Sequence, residues 1–400
     1  MAHLHPFKAV RPTAEAASDV ASVPYDVING EEARELAKGN ARSFLHVIRP
    51  EIDLPEGTDE HADEVYARGA ANLKAFASAD YTVEDPQPSL YLYRLIMKGR
   101  SQTGIFGCVS VADYDNDVIL KHELTRPKKE DDRTRHIVEQ SAHAEPVMLT
   151  FKDDDAVAGL MSDCARQDPV YDFVAPDGVQ HTIWRFSNPD AVVSAFQGID
   201  NLYVADGHHR CKAASRAAAE LGAGPSDEAS YFPAVLFPMA EMHIMAYNRI
   251  VRTLPVPPAQ FLAQLEVRFG LRPDASPTPM RRGDIALYVD GAWFGMTLPH
   301  TEGTSASDRL DVGRLTEHIL EPMLGITDPR RDPNIDFVGG IRGTQELERL
   351  VDSGRAALGI SMYPTSIEEL VDVSDAGLLM PPKSTWFEPK LRSGLLVHRF

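Results

Sequence analysis

The stretch that decides the fold around the centre of this 400-residue chain is an apolar strand running directly into a polar turn: Tyr203-Val204-Ala205-Asp206-Gly207-His208-His209-Arg210. An alanine-rich segment continues from the turn as far as Leu221, which predicts a helix that begins at the turn. A strand that passes through a tight glycine turn into a helix points free backbone amides, and the positive end of the helix dipole, at one spot. The sequence therefore predicts a phosphate-binding turn at residues 206–210.

Each polar residue of this turn has a use in such a site. Gly207 lets the backbone come close to a ligand, and His208, His209 and Arg210 add hydrogen-bond donors for phosphate oxygens. Asp206 is suited to orienting a histidine or to holding a divalent metal ion. The alternative is an ordinary helix start that Asp206 caps, with exposed histidines. Two histidines and an arginine within one first turn favour the functional interpretation.

A second candidate segment, residues 121–136, consists mostly of charged residues and histidines. It follows a short apolar stretch, so the end of a strand is expected to hold Glu123 rigidly, and Glu123 is the best candidate for a general base. His122 beside it is a candidate substrate contact, and Arg126 and Arg133 are candidates for binding nucleotide phosphates. The alternative is a solvated helix face with local ion pairs, which is the usual meaning of such a charge run.

Weaker candidates for substrate binding lie towards the two ends of the chain. They are Tyr25, Asp26, His46, Arg49, Lys383, Ser384 and Thr385. The first two occupy a proline turn, and the next two lie in residues 43–51, which are expected to form a strand. A purely structural strand, in which His46 makes its hydrogen bonds within the fold, explains residues 43–51 equally well. The last three lie in a tail segment, where anchoring by neighbouring aromatic residues is an equally good explanation.

Composition and charge exclude several classes of protein. The chain is 43% hydrophobic and 25% charged, which is ordinary for a globular protein. Its 40 Lys+Arg stand against 59 Asp+Glu, a net charge of -19 that repels a nucleic-acid backbone, so no nucleic-acid partner is expected. Three widely separated cysteines do not suggest a disulfide framework. No stretch approaches the roughly 20 apolar residues of a membrane span, so we expect a cytoplasmic protein without a membrane partner.

Several segments, taken in order, resemble a bacterial and archaeal family known as domain of unknown function 1015. These segments are Pro6–Ala9, Pro24–Val27, Ser43–Glu51, Lys121–His136, Ala205–Arg210 and Met380–Lys390. The middle portion of that family is similar to the ParB/sulfiredoxin superfamily. The resemblance implies a mixed α/β (α+β) fold, with a ParB/sulfiredoxin-like nucleotide-binding core at 113–255. Additional α/β lobes are expected at 1–112 and 256–400, with the C-terminal tail returning to the site.

Some members of that superfamily are kinases of free serine that use ADP or ATP with magnesium. In them a glutamate of the first polar segment acts as the base, and Glu123 holds the matching position here. Sulfiredoxins use a cysteine inside the turn motif, whereas here the motif carries histidines and Cys211 falls just after it. ParB proteins add a DNA-binding helical domain, and this sequence shows no sign of one.

Three functions are therefore open. The first is phosphoryl transfer from ATP or ADP to free serine, giving O-phosphoserine, with Mg²⁺ bridging the phosphates and Asp206 or Glu123 holding the metal or accepting the proton. The second is a metal-dependent phosphatase acting on phosphoserine or a similar monoester. Its candidate metal ligands are His122, Glu123, Asp206, His208 and His209. The third is a ParB-like, nucleotide-gated binding module without catalysis. A homo-oligomer is compatible with all three.

Overall fold

The computed structural model describes residues 1–300 and 305–400, and the chain divides into two compact units. The first unit comprises Met1–Met242 together with Pro389–Phe400, and the second comprises His243–Glu388. Each unit contains its own sheet and its own hydrophobic core.

This division differs from the three predicted lobes 1–112, 113–255 and 256–400. Strand Arg100–Ser110 pairs with strand Tyr231–Pro238, so segments on both sides of residue 112 share one sheet. Pairing between strands this far apart in the chain leaves no local mark on the sequence.

The first unit is built on a mixed sheet of nine of the described strands. Their order across the sheet is Ile119–Leu120, Leu202–Asp206, Val147–Phe151, Tyr231–Pro238, Arg100–Ser110, Tyr91–Met97, Gln180–Arg185 and Tyr171–Val174, with Leu4–His5 paired to Arg100–Ser110. Alternate residues of the central strands face one core. Helices that follow the strands bury Val157, Phe196 and Cys211 in that same core.

A smaller sheet and several helices complete the first unit. The small sheet has the order Thr82–Glu84, Ala9–Pro12, Val397–Arg399 and Ala142–His143. The α-helices are Ala17–Val20, Gly30–Ala37, Leu45–Ile48, Asp63–Ala77, Val111–Asp115, Pro127–Gln140, Asp155–Cys164, Pro189–Phe196 and His208–Leu221. Short 3-10 helices span Ala14–Ala16, Pro50–Asp53, Glu228–Ser230 and Met239–Glu241.

The strand predicted at residues 43–51 is wrong. The structure has an α-helix at Leu45–Ile48, followed by a 3-10 helix at Pro50–Asp53. The buried apolar residues Phe44, Val47 and Ile48 are spaced three and four apart, which is the period of a helix face rather than of a strand.

The second unit has a sheet of six of the described strands. Their order is Arg272–Pro273, Ala292–Thr297, Asp284–Val289, Leu358–Met362, Tyr247–Val251 and Ile335–Gly339. Its helices are Pro258–Phe269, Asp311–Leu315, a π-helical turn at Thr316–Leu320, Glu321–Leu324, a 3-10 helix at Gly340–Arg342, Gln345–Asp352 and Ile367–Asp375. A separate strand pair joins Ile244–Met245 to Trp386–Phe387.

The mixed α/β class predicted from the sequence is confirmed by both units. Within the described part of the chain, no helix combines the length and the apolar character needed to cross a bilayer.

Candidate functional site

Two parallel strands bring the two polar segments of the sequence to the same edge of the first unit's sheet. Strand Ile119–Leu120 pairs in parallel with the start of strand Leu202–Asp206. Both strands therefore end at the same edge. The loop that carries Glu123 leaves the first strand there. The site turn, defined as Asp206–Arg210, leaves the second.

Glycine occupies the N-cap position of the helix that starts in the site turn. Gly207 precedes the 14-residue helix His208–Leu221 with φ of 102°, a value that favours glycine, and among the described residues the helix has no side-chain cap hydrogen bond. The first hydrogen bond of the helix runs from the amide of Cys211 to the carbonyl of Gly207, at 2.9 Å. The alternative in which Asp206 caps the helix is therefore wrong, and the amides at the helix start are available to a ligand.

Asp206 is held by two cations. Its Oδ2 lies 3.3 Å from the guanidinium Nη2 of Arg210 and 3.5 Å from Nζ of Lys390. Burial raises the pKa of the Asp206 carboxyl, but Lys390 and Arg210 outweigh burial and hold that pKa below its usual range. Oδ2 of Asp206 already faces two positive charges, which makes this oxygen a poor ligand for a metal ion. The described residues contain no group of three or more acidic, histidine or cysteine side chains arranged to hold a metal ion.

Arg210 forms the buried floor of the site turn. Its Nη1 donates to the carbonyl of Pro146 and its Nη2 to Asp206, while its Nε is buried and has no hydrogen-bond partner among the described residues. Burial lowers the pKa of this guanidinium, but the carboxylates of Asp26, Asp206 and Glu145 raise it by more than burial lowers it. The net pKa is raised, so Arg210 stays charged. A buried N–H without an acceptor is unusual and indicates room for a bound water or ligand atom.

Two buried histidines stand beside the helix start. The rings of His122 and His208 meet edge to face with their centroids 4.4 Å apart, and Nδ1 of His208 lies 4.0 Å from Oε2 of Glu123. Burial lowers the pKa of His208 to about 4 and that of His122 well below its ordinary value, so both rings are neutral at neutral pH. They can donate N–H groups to phosphate but add no positive charge. Both ring nitrogens of His122 and the Nε2 of His208 are buried, and no hydrogen-bond partner for them lies in the part of the chain that the structure describes.

His209 ties the two polar segments together. Its Nε2 accepts a hydrogen bond from the backbone amide of Arg126 at 3.1 Å, while the side chain of Arg126 is exposed. Burial, with the nearby charge of Lys129, lowers the pKa of His209. This bond fixes the start of helix Pro127–Gln140 against the site turn, and the two helices pack along each other.

Tyr25, Arg133 and Glu145 form a buried layer next to Arg210. The amide of Tyr25 donates to Oε1 of Glu145 at 3.1 Å, and the guanidinium of Arg133 lies 3.9 Å from the centre of the Tyr25 ring. Arg133 also approaches Glu145 at 3.6 Å and is paired with Asp132 at 2.7 Å. Burial raises the pKa of Glu145. A cavity of about 40 Å³ adjoins Arg133, Glu145 and Arg210.

Sequence reasoning did not find Glu145 or the role of Lys390. Glu145 had a signal of its own, since it is a carboxylate two residues before the start of the strand Val147–Phe151. Lys390 lies at the end of the tail segment Met380–Lys390, in which the sequence indicates Lys383, Ser384 and Thr385 as the candidates.

Most of the remaining predicted residues make contacts away from the site turn. Nδ1 of His46 bonds to Asp53 at 2.6 Å, and Arg49 pairs with Glu51 at 2.7 Å. Lys383, Ser384 and Thr385 belong to the second unit. There the carbonyl of Lys383 accepts from Arg249 and the carbonyl of Ser384 accepts from Thr365. Asp26 is exposed and acts electrostatically on Arg210 and His209.

The arrangement suits the binding of an anion next to a carboxylate. Uncapped amides, a buried guanidinium and neutral imidazoles converge on the start of one helix, and Glu123 stands at its edge with 38% of its side chain exposed. An anion on the amides would leave this carboxylate free to accept a proton from a neighbouring hydroxyl group.

Comparison with known proteins adds the following findings. The family model described as "Protein of unknown function (DUF1015)" matches residues 4–313. None of the curated proteins matches the sequence.

Solved structures similar to this chain share 13% sequence identity with it and cover 73% of its length. One is a conserved hypothetical protein from Pyrococcus furiosus, covered over 94% of its chain with a TM-score of 0.36. Another is a free serine kinase in complex with AMP, covered over 91% with a TM-score of 0.35. A third is SbnI with a C-terminal truncation from Staphylococcus aureus, covered over 87% with a TM-score of 0.37.

Proposed function

Because this chain belongs to the DUF1015 family, a family of unknown function, we propose its activity from its own site. That activity is phosphoryl transfer between a nucleotide, ADP or ATP, and the hydroxyl group of a small amino acid. Free serine is the preferred acceptor, and the product is O-phosphoserine. The observation that carries the proposal is the uncapped helix start at Gly207, with buried donors that lack partners and the carboxylate of Glu123 beside it.

The site turn would hold the nucleotide phosphates. The amides of the first helical turn point towards one spot, and the helix adds partial positive charge there. The Nε of Arg210 and the Nε2 of His208, which have no partner among the described residues, would supply further donors. These groups are already in place before a ligand arrives, so little reorganisation is needed when it binds.

Glu123 would act as the general base. Its carboxylate is partly exposed and lies beside His208, so a hydroxyl group next to the bound phosphate can reach it. A serine hydroxyl is a poor nucleophile while it keeps its proton, and a positioned carboxylate removes that obstacle. Serine as the acceptor rests on the resemblance of residues 121–136 and 206–210 to free serine kinases of the ParB/sulfiredoxin superfamily.

Positive charge near the transferred group would come from Arg210, Lys390 and the exposed side chain of Arg126. Arg133 has a different part, because its guanidinium is taken up by Tyr25, Asp132 and Glu145. It stiffens the layer on which Arg210 rests. Magnesium would enter bound to the nucleotide, where it neutralises phosphate charge, and the partly exposed carboxylate of Glu123 would help to hold it.

Phosphorus NMR tests this function. The purified protein is mixed with Mg²⁺, ADP or ATP, and serine or phosphoserine. The expected result is the appearance of O-phosphoserine only when a nucleotide and serine are both present, and its reversal with the product nucleotide. Release of inorganic phosphate from phosphoserine without a nucleotide would instead identify a phosphatase. Nucleotide binding without turnover would leave a ligand-gated binding module.

A further inference from the structure

A buried arginine without a carboxylate partner lies in the second unit. Arg249 is 1% exposed and stands on strand Tyr247–Val251. Its Nη1 donates to the carbonyl of Tyr247 and its Nη2 to the carbonyl of Lys383, the latter at 3.0 Å. Among the residues that the structure describes, no carboxylate forms an ion pair with it.

Arg314 in the same unit shows how the charge of a buried arginine is usually compensated. It is 3% exposed, and its guanidinium pairs with Asp311 at 3.0 Å besides donating to backbone carbonyls. A charge taken out of water is costly unless an opposite charge compensates it. At Arg249 burial lowers the pKa to about 10, so the group is still charged at neutral pH. Arg249 is therefore a buried positive charge for which the described residues supply no counter-ion.

Arg249 lines a pocket of about 590 Å³ that lies within the second unit. This volume falls in the range of small-molecule sites. A guanidinium has five N–H donors, and the two hydrogen bonds to carbonyls leave others for a ligand. One wall is the π-helical turn Thr316–Leu320, a rare geometry that proteins often retain at binding sites.

The side chains around Arg249 specify the ligand. Apolar contacts come from Val312, Leu320, Phe337 and Pro381. Carboxylates also line the pocket, at Asp308, Glu317, Glu321 and Asp328. Among the described residues of the lining, the one further cation is Arg330, which is paired with Asp328 at 3.0 Å. A polyanion such as a nucleotide would be repelled by these carboxylates, whereas an ammonium group would be attracted.

We propose that this pocket binds a free α-amino acid as a zwitterion, with the ligand carboxylate on Arg249 and the ligand ammonium group facing the carboxylates of the lining. This site lies in a different unit from the site turn, and the proposal does not depend on the phosphoryl-transfer activity.

Calorimetric titration with leucine and two matched derivatives tests the proposal. N-acetylleucine keeps the carboxylate without the ammonium group, and leucinamide keeps the ammonium group without the carboxylate. None of the three has a hydroxyl group, so none can accept a phosphoryl group at the site turn. Alanine, titrated alongside, shows how much the apolar side chain matters. We expect leucine to bind at least tenfold more tightly than either derivative, because each charge-assisted contact is worth about that factor.

Variants locate the binding. Arg249→Met should weaken leucine binding at least tenfold, whereas Arg252→Met, at an exposed arginine of the same unit, should leave it unchanged. Glu321→Gln changes an exposed side chain of the lining and should weaken binding of leucine but not of N-acetylleucine. If circular dichroism shows that Arg249→Met does not fold, the Glu321→Gln variant tests the proposal in its place. The proposal fails if none of the amino acids binds the wild-type protein at millimolar concentration. It also fails if Arg249→Met folds and binds leucine normally, or if the Glu321→Gln variant binds leucine as the wild type does.

Discussion

At Glu123 the carboxylate lies 4.0 Å from His208, and 38% of the side chain is exposed. Glu123→Gln keeps the size of the side chain but cannot accept a proton. We expect kcat to fall by about 10² to 10⁴, as is typical for loss of a general base. Nucleotide Kd should stay within severalfold and the melting temperature should hardly change, because the side chain is not part of the core.

Glu139→Gln is the matched control, since Glu139 is a half-exposed glutamate on helix Pro127–Gln140. Its turnover should equal that of the wild type. Normal turnover in Glu123→Gln would contradict the general-base role and show that Glu123 is only a surface residue of the charged segment 121–136. Loss of nucleotide binding in that variant would make it a ligand of the nucleotide or its metal.

At Gly207 two effects of a methyl group can be separated. The φ of 102° strains any other residue, and a Cβ would stand 3.1 Å from Val147 Cγ1 and from Arg210 Nε. Gly222, at the other end of the same helix, has φ of 64°, and a Cβ there would have no neighbouring atom within 4 Å. Both Gly207→Ala and Gly222→Ala should lower the free energy of unfolding by about 1 kcal/mol or more. The melting temperature should fall in both variants.

Only Gly207→Ala should also weaken nucleotide binding, at least tenfold by calorimetric titration, because only there would the methyl group disturb Arg210 and the amides of the helix start. Equal nucleotide affinity in two folded variants would rule out the phosphate-binding role of the site turn.

At the scale of elements, the chain end holds part of the first unit together. Strand Val397–Arg399 lies between strands Ala9–Pro12 and Ala142–His143, and the segment that leads to it carries Lys390 to Asp206. Val397 is fully buried, whereas Arg399 on the same strand is exposed.

Val397→Ala should therefore cost about 2 kcal/mol of stability, and Arg399→Ala should stay within about 0.5 kcal/mol of the wild type. Hydrogen exchange of the amides in strand Tyr231–Pro238 reports the stability of the first unit. Equal protection in both variants would show that the chain end does not stabilise this unit.

At the scale of the whole molecule, buried neutral histidines make stability depend on pH. The histidines whose pKa is lowered chiefly by burial include His122, His136, His143, His181 and His208. The pKa falls to about 4 for His208 and to about 3 for His181, against about 6.5 in an unfolded chain. Between those values the unfolded chain binds more protons than the folded one, so acid favours unfolding.

The contribution of these histidines to stability should be complete above about pH 6.5 and decline as the pH falls towards 4. The raised pKa values of Glu145, Asp311 and Glu369 act in the opposite direction. The lowered pKa values of carboxyls such as Asp132 and Asp206 act in the same direction as the histidines. Urea unfolding at pH 7.5, 6 and 5 should show a progressive loss of stability. A protein as stable at pH 5 as at pH 7.5 would contradict this expectation.

The sequence by itself determined the site turn, the helix that begins there and the mixed α/β class. These features follow from local rules: a glycine where the backbone needs positive φ, an apolar strand before it and a helix-forming run after it. Local rules failed at residues 43–51. A short apolar run is compatible with a strand or a helix, and the packing of the surrounding chain decides between them.

Tertiary structure alone decided which groups meet. The parallel pairing of Ile119–Leu120 with Leu202–Asp206 sets Glu123 beside His208, and the returning chain end sets Lys390 on Asp206. The neutral state of His208 and the isolated charge of Arg249 are also invisible in the sequence, because burial comes from residues distant in the chain. Contacts between distant segments depend on how the whole chain packs, and no local pattern encodes them.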